Sequence, residues 1–190
     1  MKILVIPRDA CASLLSAPIV QWDQSSTVLH HWIDRPSAET DRSLQQVIPY
    51  AVLRNPAGNF WAYRRTGGDK RLSQRASIGV GGHIENSDDQ GHFLATVRAA
   101  LWRELCEELQ QPPSFVDATP VAWINEQDSA VGQVHLGLVF AIDWTFLSDP
   151  IPKPGEGLEA IGFVHPSEVN LAAGFEPWSV LAAQALRDGL

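Results

Sequence analysis

A chain of 190 residues with 45% hydrophobic and 19% charged residues is long enough for one sizeable domain and too apolar for a disordered one. Its formal charge of −8 excludes a general nucleic-acid coat, which needs a basic surface, while leaving room for a small phosphorylated ligand held by metal ions and a local basic patch. Two cysteines, Cys11 and Cys106, offer neither a disulfide framework nor zinc spacing, and no apolar run approaches the roughly eighteen residues of a membrane span. A soluble, cytoplasmic protein with no membrane partner is expected.

Residues 1–45 read as an N-terminal extension, with strands at about 2–6 and 27–33 and irregular polar segments between and after them. Lys2 and the run Ile3–Ile6 imitate a signal peptide, but Pro7-Arg8-Asp9 ends the apolar stretch too soon for one. No Gly/Ser-rich linker separates this part from residues 46–190, so a single domain is expected. Val47–Arg54 and Asn59–Arg64 form a hairpin across Asn55-Pro56-Ala57-Gly58. Next come Arg64, Arg65, Lys70, Arg71 and Arg75, five of the fourteen Lys and Arg residues, in a segment that is either a solvated loop or a phosphate-facing rim. A strand at 76–80 runs into Gly81-Gly82. A long helix follows, stopped by Pro112-Pro113. Strands at about 119–126, 132–144 and 159–165 and a helix from Pro177 to Arg187 complete the chain. This order favours an α/β (α+β) fold, a mixed β-sheet flanked by helices.

The long helix carries the chemistry. Leu94, Val97, Leu101, Leu105 and Leu109 recur every three or four residues and form a core-facing stripe. Glu104, Glu107 and Glu108 stand off that stripe at i, i+3 and i+4, so they share a face where like charges repel. A hard divalent cation turns such repulsion into coordination. Arg103, four residues before Glu107, is placed to pair with it or with an acid of the preceding loop.

Gly82 and the run Arg103-Glu104-Leu105-Cys106-Glu107-Glu108 resemble the Nudix (MutT-type) signature: glycine, five residues, glutamate, seven residues, then Arg-Glu-aliphatic-x-Glu-Glu-x-Gly-aliphatic. Gln46–Tyr50, Ser77–Ile84, Val134–Phe140 and Trp178-Ser179 resemble a bacterial Nudix subgroup of predicted phosphoesterases. The resemblance covers about residues 45–180 and implies an α/β/α sandwich that uses Mg²⁺ or Mn²⁺ to cleave a diphosphate linkage in a nucleoside diphosphate derivative or similar small molecule. By position it makes Glu107 and Glu108 metal ligands, Glu104 a further ligand or the base that activates water, and the Gly82 carbonyl a candidate ligand, with Arg103 orienting the acids. Glu156 and Glu159 are candidate bases from a later loop, ahead of Glu126, and Arg64, Arg75 and His83 are candidate substrate contacts.

The sequence departs from the signature in the loop. Asp88 stands at the loop glutamate, fourteen residues separate it from Arg103 where the signature has seven, and Gln110 and Gln111 replace the final glycine and aliphatic. If the seven extra residues were all helical, they would add about 10 Å and carry Asp88 away from Arg103, but Gly91 and the polar run Asn86–Gln90 mark at least part of the excess as loop. Asp88 is equally readable as a helix cap, Cys106 and His135 as packing residues, and Glu85 as part of the rim. Trp61 and Trp123 are readable as core, or as stacking partners for a base. Two further readings stay open: a non-catalytic nucleotide-binding sensor, and an isoprenoid diphosphate isomerase, for which neither cysteine is well placed. The extension is also a candidate surface for pairing two chains into a homodimer.

Overall fold

The computed structural model describes residues 1–24, 27–66, 75–113 and 118–188. Its organising strand is β4 (Leu44–Arg54), buried along nearly its whole length. Side chains alternate across a strand. Thus Val47, Ala51 and Leu53 join the core under one layer, while Tyr50 and Val52 join the core under the other. The strand order β10–β5–β4–β9–β8–β2 is built from β5 (Phe60–Arg65), β9 (His135–Asp143), β8 (Pro120–Ile124), β2 (Ile19–Gln21) and β10 (Leu158–Val164). The β4–β9 pair is parallel, from Gln46 opposite His135 to Arg54 opposite Asp143, and the other pairs are antiparallel, giving the mixed sheet expected.

One face of this sheet is covered by helix α2 (Phe93–Glu108), which presents Phe93, Val97, Ala100, Leu101 and Leu105 to Trp61, Tyr63, Leu136, Leu138 and Phe140. The other is covered by α3 (Pro177–Asp188), through Ala182, Ala183 and Leu186. A buried polar knot fixes α3 in register. Tyr50 Oη and Ser77 Oγ both donate to Glu176 Oε1, at 2.9 and 2.6 Å, and the Ile78 amide donates to Ser179 Oγ at 3.0 Å. That last bond takes Ile78 out of the ladder. The strand expected at 76–80 is therefore two short pieces, β6 (Ala76–Ser77) on β5 and β7 (Gly79–Val80) on β4.

The N-terminal segment is woven into the sheet. Its first strand, β1 (Lys2–Pro7), pairs with β3 (His31–Asp34) on one side and with β4 on the other, and buries Ile3, Leu4, Val5 and Ile6. It also reaches the glycine loop, where the Leu4 amide donates to the Ile84 carbonyl at 2.9 Å and Ile3 bridges Glu85. After β3 the chain makes one turn of helix, α1 (Arg35–Ala38), where an irregular segment was expected. Pro36 sits in its first turn, where its missing N–H costs nothing.

Candidate metal and active site

Two elements bring the polar residues together: the Gly81–Asp88 loop after β7 and the last two turns of α2. Gly81 meets backbone and Gly82 meets the end of a side chain. A Cβ at Gly81 would lie 1.8 Å from the Pro49 carbonyl oxygen, and one at Gly82 would lie 2.5 Å from Glu104 Oε1. Gly81→Ala forces a backbone shift in β4 rather than a side-chain adjustment. It is therefore expected to cost about 2–3 kcal/mol, measured as a lower urea midpoint at an unchanged slope.

Arg103 is the hub. Its guanidinium carries five N–H groups, and all five are used. Nε and Nη2 donate to the two oxygens of Asp88, each at 3.0 Å, and Nη2 also donates to the His83 carbonyl at 2.8 Å. Nη1 donates to Glu104 Oε1 at 2.8 Å and to Glu107 Oε2 at 3.1 Å. These contacts hold the guanidinium in its charged form despite partial burial.

Asp88 thus reaches Arg103 despite the long spacing. Asn86–Asp88 form a short 3-10 turn closed by the Glu85 amide on Asp88 Oδ2, residues 89–92 loop out, and α2 starts only at Phe93. The extra residues are divided between loop and helix, so the displacement that a fully helical insertion would cause does not arise. Asp88 is both a turn-capping acid and a partner of Arg103, and it is buried.

Glu108 is the most confined of the three helix acids, with its side chain 11% exposed. Its Oε2 is buried without a hydrogen-bond partner, and its Oε1 lies 4.0 Å from Arg65 Nη1. Burial pushes its pKa up to about 7; Arg65 pulls it down, while Glu104, Glu156 and Glu107 push it further up. Burial likewise raises Glu104, against the pull of Arg103. Glu107 is exposed. The Pro150–Gly157 loop is stitched to this end of the helix. The Lys153 amide donates to the Glu108 carbonyl at 2.8 Å, the Gln110 amide donates to Ile151 O at 2.9 Å, and Lys153 Nζ donates to the Cys106 carbonyl.

The remaining expected residues fall elsewhere. Glu159 pairs with Arg64, and Leu158 with Arg65, in the β10–β5 register. Since Arg65 faces Glu108, alternation turns both Arg64 and Glu159 to the opposite face of the sheet. Glu156 is the loop acid whose charge is felt by Glu108. Arg75 is exposed ahead of β6, and Lys70 and Arg71 lie outside the described residues. The His83 ring turns from the acids toward Gln46 Oε1 at 2.8 Å and His135 Nε2 at 3.4 Å. Burial, aided by Arg35 and His135, holds its pKa down at about 4, so the ring is neutral. Trp61 and Trp123 are core residues, buried beyond the reach of a base. Glu126 closes its own turn by accepting from the Ser129 amide. The sequence placed Arg65 in the basic segment read as solvated loop or phosphate-facing rim, with Arg64 and Arg75 as the substrate contacts, although Trp61 and Tyr63, apolar on the same alternation, point Arg65 inward.

Several features of the site suit a hard divalent cation. The donors are carboxylate oxygens, Glu108 Oε2 is buried and unpartnered, and Gly82 leaves a space beside Glu104 that any side chain would fill. Among the described residues no three His, Cys, Asp or Glu side chains already converge on one point, since Arg103 holds Glu104 and Glu107.

No family model matches the chain. Protein YmaB of Bacillus subtilis (strain 168) is 34% identical over 127 residues, which span 66% of this chain and 58% of that relative's own length. Among solved structures, Tm1382, a candidate Nudix hydrolase, superposes with a TM-score of 0.75 at 22% identity, covering 99% of each chain. A bifunctional NMN adenylyltransferase/ADP ribose pyrophosphatase from Francisella tularensis, complexed with AMP and a Mn ion, matches with a TM-score of 0.56 at 14% identity over 76% of this chain and 41% of that one. No helix among the described residues is long and apolar enough to cross a membrane. With α2 and α3 on opposite faces of a mixed sheet and these structures superposing on it, the chain has the Nudix fold.

Proposed function

We propose that this protein is a metal-dependent Nudix-type hydrolase that cleaves a diphosphate linkage in a nucleoside diphosphate derivative or a similar small molecule. The observation that carries this reading is Glu108: a buried carboxylate with a partnerless oxygen, on the same helix end as Glu107 and as Glu104, which lies beside Gly82. Glu104, Glu107, Glu108 and the Gly82 carbonyl would hold Mg²⁺ or Mn²⁺. When bound, such a cation positions phosphate oxygens, offsets developing charge and acidifies a bound water.

The chain's own residues supply the rest. Arg103, fixed by Asp88 and the His83 carbonyl, holds Glu104 and Glu107 side by side, on the helix face where they would hold the cation. Glu104, raised by burial, is the acid placed to accept a proton as water oxygen bonds to phosphorus and the bridging P–O bond breaks, with the second phosphate leaving as the anion. Tyr63 and Leu105 belong to the buried core that α2 packs against the sheet.

The test is a turnover screen of nucleoside diphosphate derivatives, ADP-ribose included, with Mg²⁺ and with Mn²⁺. Phosphate-containing products are expected, with a rate reduced on the order of a hundredfold or more in Glu107→Gln. Turnover untouched by that substitution would remove the site assignment. Ligand-induced stabilisation without turnover under either metal would identify a nucleotide-binding sensor instead.

A further inference from the structure

The proposed reaction needs a cation on the protein that meets the substrate's phosphate, and Arg103 has no N–H left to offer. Arg65 does. It ends β5 on the α2 side of the sheet, with its side chain 29% exposed. Among the described residues its one side-chain hydrogen bond is Nη2 to Tyr63 Oη at 3.0 Å, and the guanidinium carbon lies 5.5 Å from the centre of the Tyr63 ring. Tyr63 is itself fixed, donating to the Gly79 carbonyl at 2.5 Å and packing against Trp61 at 5.2 Å. The guanidinium is therefore held on a rigid, buried base. Its Nη1 points toward Glu108 at 4.0 Å, too long for a hydrogen bond.

Beside it lies a cavity of about 450 Å³, open to solvent and lined by Thr66, Pro152, Lys153, Gly157, Leu158 and Ala160. Leu158 and Ala160 pair with Arg65 and Tyr63 across the β10–β5 ladder, so they share the face that Arg65 uses. The same cavity wall, residues 152–157, is tied to the last turn of α2 through the Lys153 amide and Glu108 carbonyl. A compact group attached to a phosphate at Arg65 has room there.

We propose that Arg65 is the phosphate-binding residue of this site, gripping the substrate's diphosphate with its unused N–H groups while the group attached to that phosphate occupies the Thr66–Lys153–Leu158 cavity. This rests on the hydrolase reading for the identity of the ligand, and not for the existence of the anion site. Planar N–H pairs match phosphate oxygens in a way that a lysine ammonium does not. With the phosphate on Arg65 and Glu108 holding the cation, the one long ion pair between them would be exchanged for two opposite-charge contacts.

The probe is methylenebisphosphonate, a diphosphate with no hydrolysable bridge, titrated calorimetrically into the Mg²⁺-loaded protein. Arg65→Met is expected to weaken binding ten- to a hundredfold and Arg65→Lys by a smaller factor. Arg64→Met, on the other face of the sheet, is expected to stay within about twofold of the parent protein. Mn²⁺ affinity, read separately by electron paramagnetic resonance without the bisphosphonate, should not fall in Arg65→Met. The proposal is overturned if the parent protein fails to bind the probe, if Arg65→Met binds it as well as the parent, or if Arg64→Met loses as much. It is also overturned if Arg65→Met loses Mn²⁺ itself. Arg65-dependent binding with no hydrolysis of any diphosphate would remove the hydrolase reading and leave this anion site standing; hydrolysis with Arg65-independent binding would do the reverse.

Discussion

Arg103→Met is expected to lower the unfolding free energy by about 3–5 kcal/mol, the cost of breaking a largely buried ion pair by removing one partner. The substitution keeps most of the side chain's apolar volume, so the loss reads the charge and not a cavity. It strands the Asp88 carboxylate, which is buried and among the described residues otherwise accepts only from the Glu85 amide, and it leaves Glu104 and Glu107 repelling with no cation between them. Urea unfolding at pH 7 in the absence of metal provides the measurement. Asp88→Asn alone should cost less, because Arg103 retains both glutamates and the His83 carbonyl. A double-mutant cycle between the two should give a coupling of about 1–3 kcal/mol. Additive effects would mean that the Asp88–Arg103 clamp contributes nothing to the folded state.

Glu108→Gln should act in opposite directions on stability and on catalysis. In the metal-free protein Glu108 titrates at about 7 instead of its ordinary 4.5, because it is buried. Between those values the folded state keeps a proton that the unfolded chain has released. Its contribution to stability is therefore full below about pH 4.5 and is lost as pH rises through 7, a loss of up to ~3 kcal/mol. Glutamine has nothing to titrate. Relative to the parent, Glu108→Gln should be close to neutral at pH 4.5 and increasingly stabilised toward pH 8.

His83 works the other way, since its folded value of about 4 lies below its ordinary 6.5. It stabilises above about pH 6.5 and the effect fades as pH falls toward 4. Taking the difference between variant and parent at each pH removes that contribution. A difference that stays flat from pH 4.5 to 8 would contradict the burial argument. With Mg²⁺ present, the hydrolysis proposed above should fall on the order of a thousandfold in the same variant, because one anionic oxygen ligand is gone.

Much of this arrangement was legible in the sequence, where local rules decide. The leucine stripe set which face of α2 is buried and therefore which face carries Glu104, Glu107 and Glu108. Choosing between Arg64 and Arg65 required the register of β5 against β10 and the aromatic pair Trp61–Tyr63, a long-range fact. Gly91 and the polar run before it marked part of the excess between Asp88 and Arg103 as loop, but a count of residues does not say how many lie along the helix axis, so the Asp88–Arg103 pair itself was not legible. The N-terminal strand was read as strand, but its place between β3 and β4, and its grip on Ile84, depend on pairings that no local pattern records. The division of β6 from β7 was hidden for the same reason: a serine 101 residues further on takes the Ile78 amide.

The loop over residues 89–92 has a consequence for how this site tolerates change. Gly91 sits at φ +71 with nothing within 4 Å of where a side chain would start, and its neighbours on either side are exposed. The loop is anchored at its ends, by Asp88 on Arg103 and by the Thr96 hydroxyl accepting from the Gln90 amide. A change of chain length there falls between two fixed posts. A fluorophore, an affinity tag or a short inserted peptide placed between Gln90 and His92 would report on the helix that carries the acids while leaving their spacing alone.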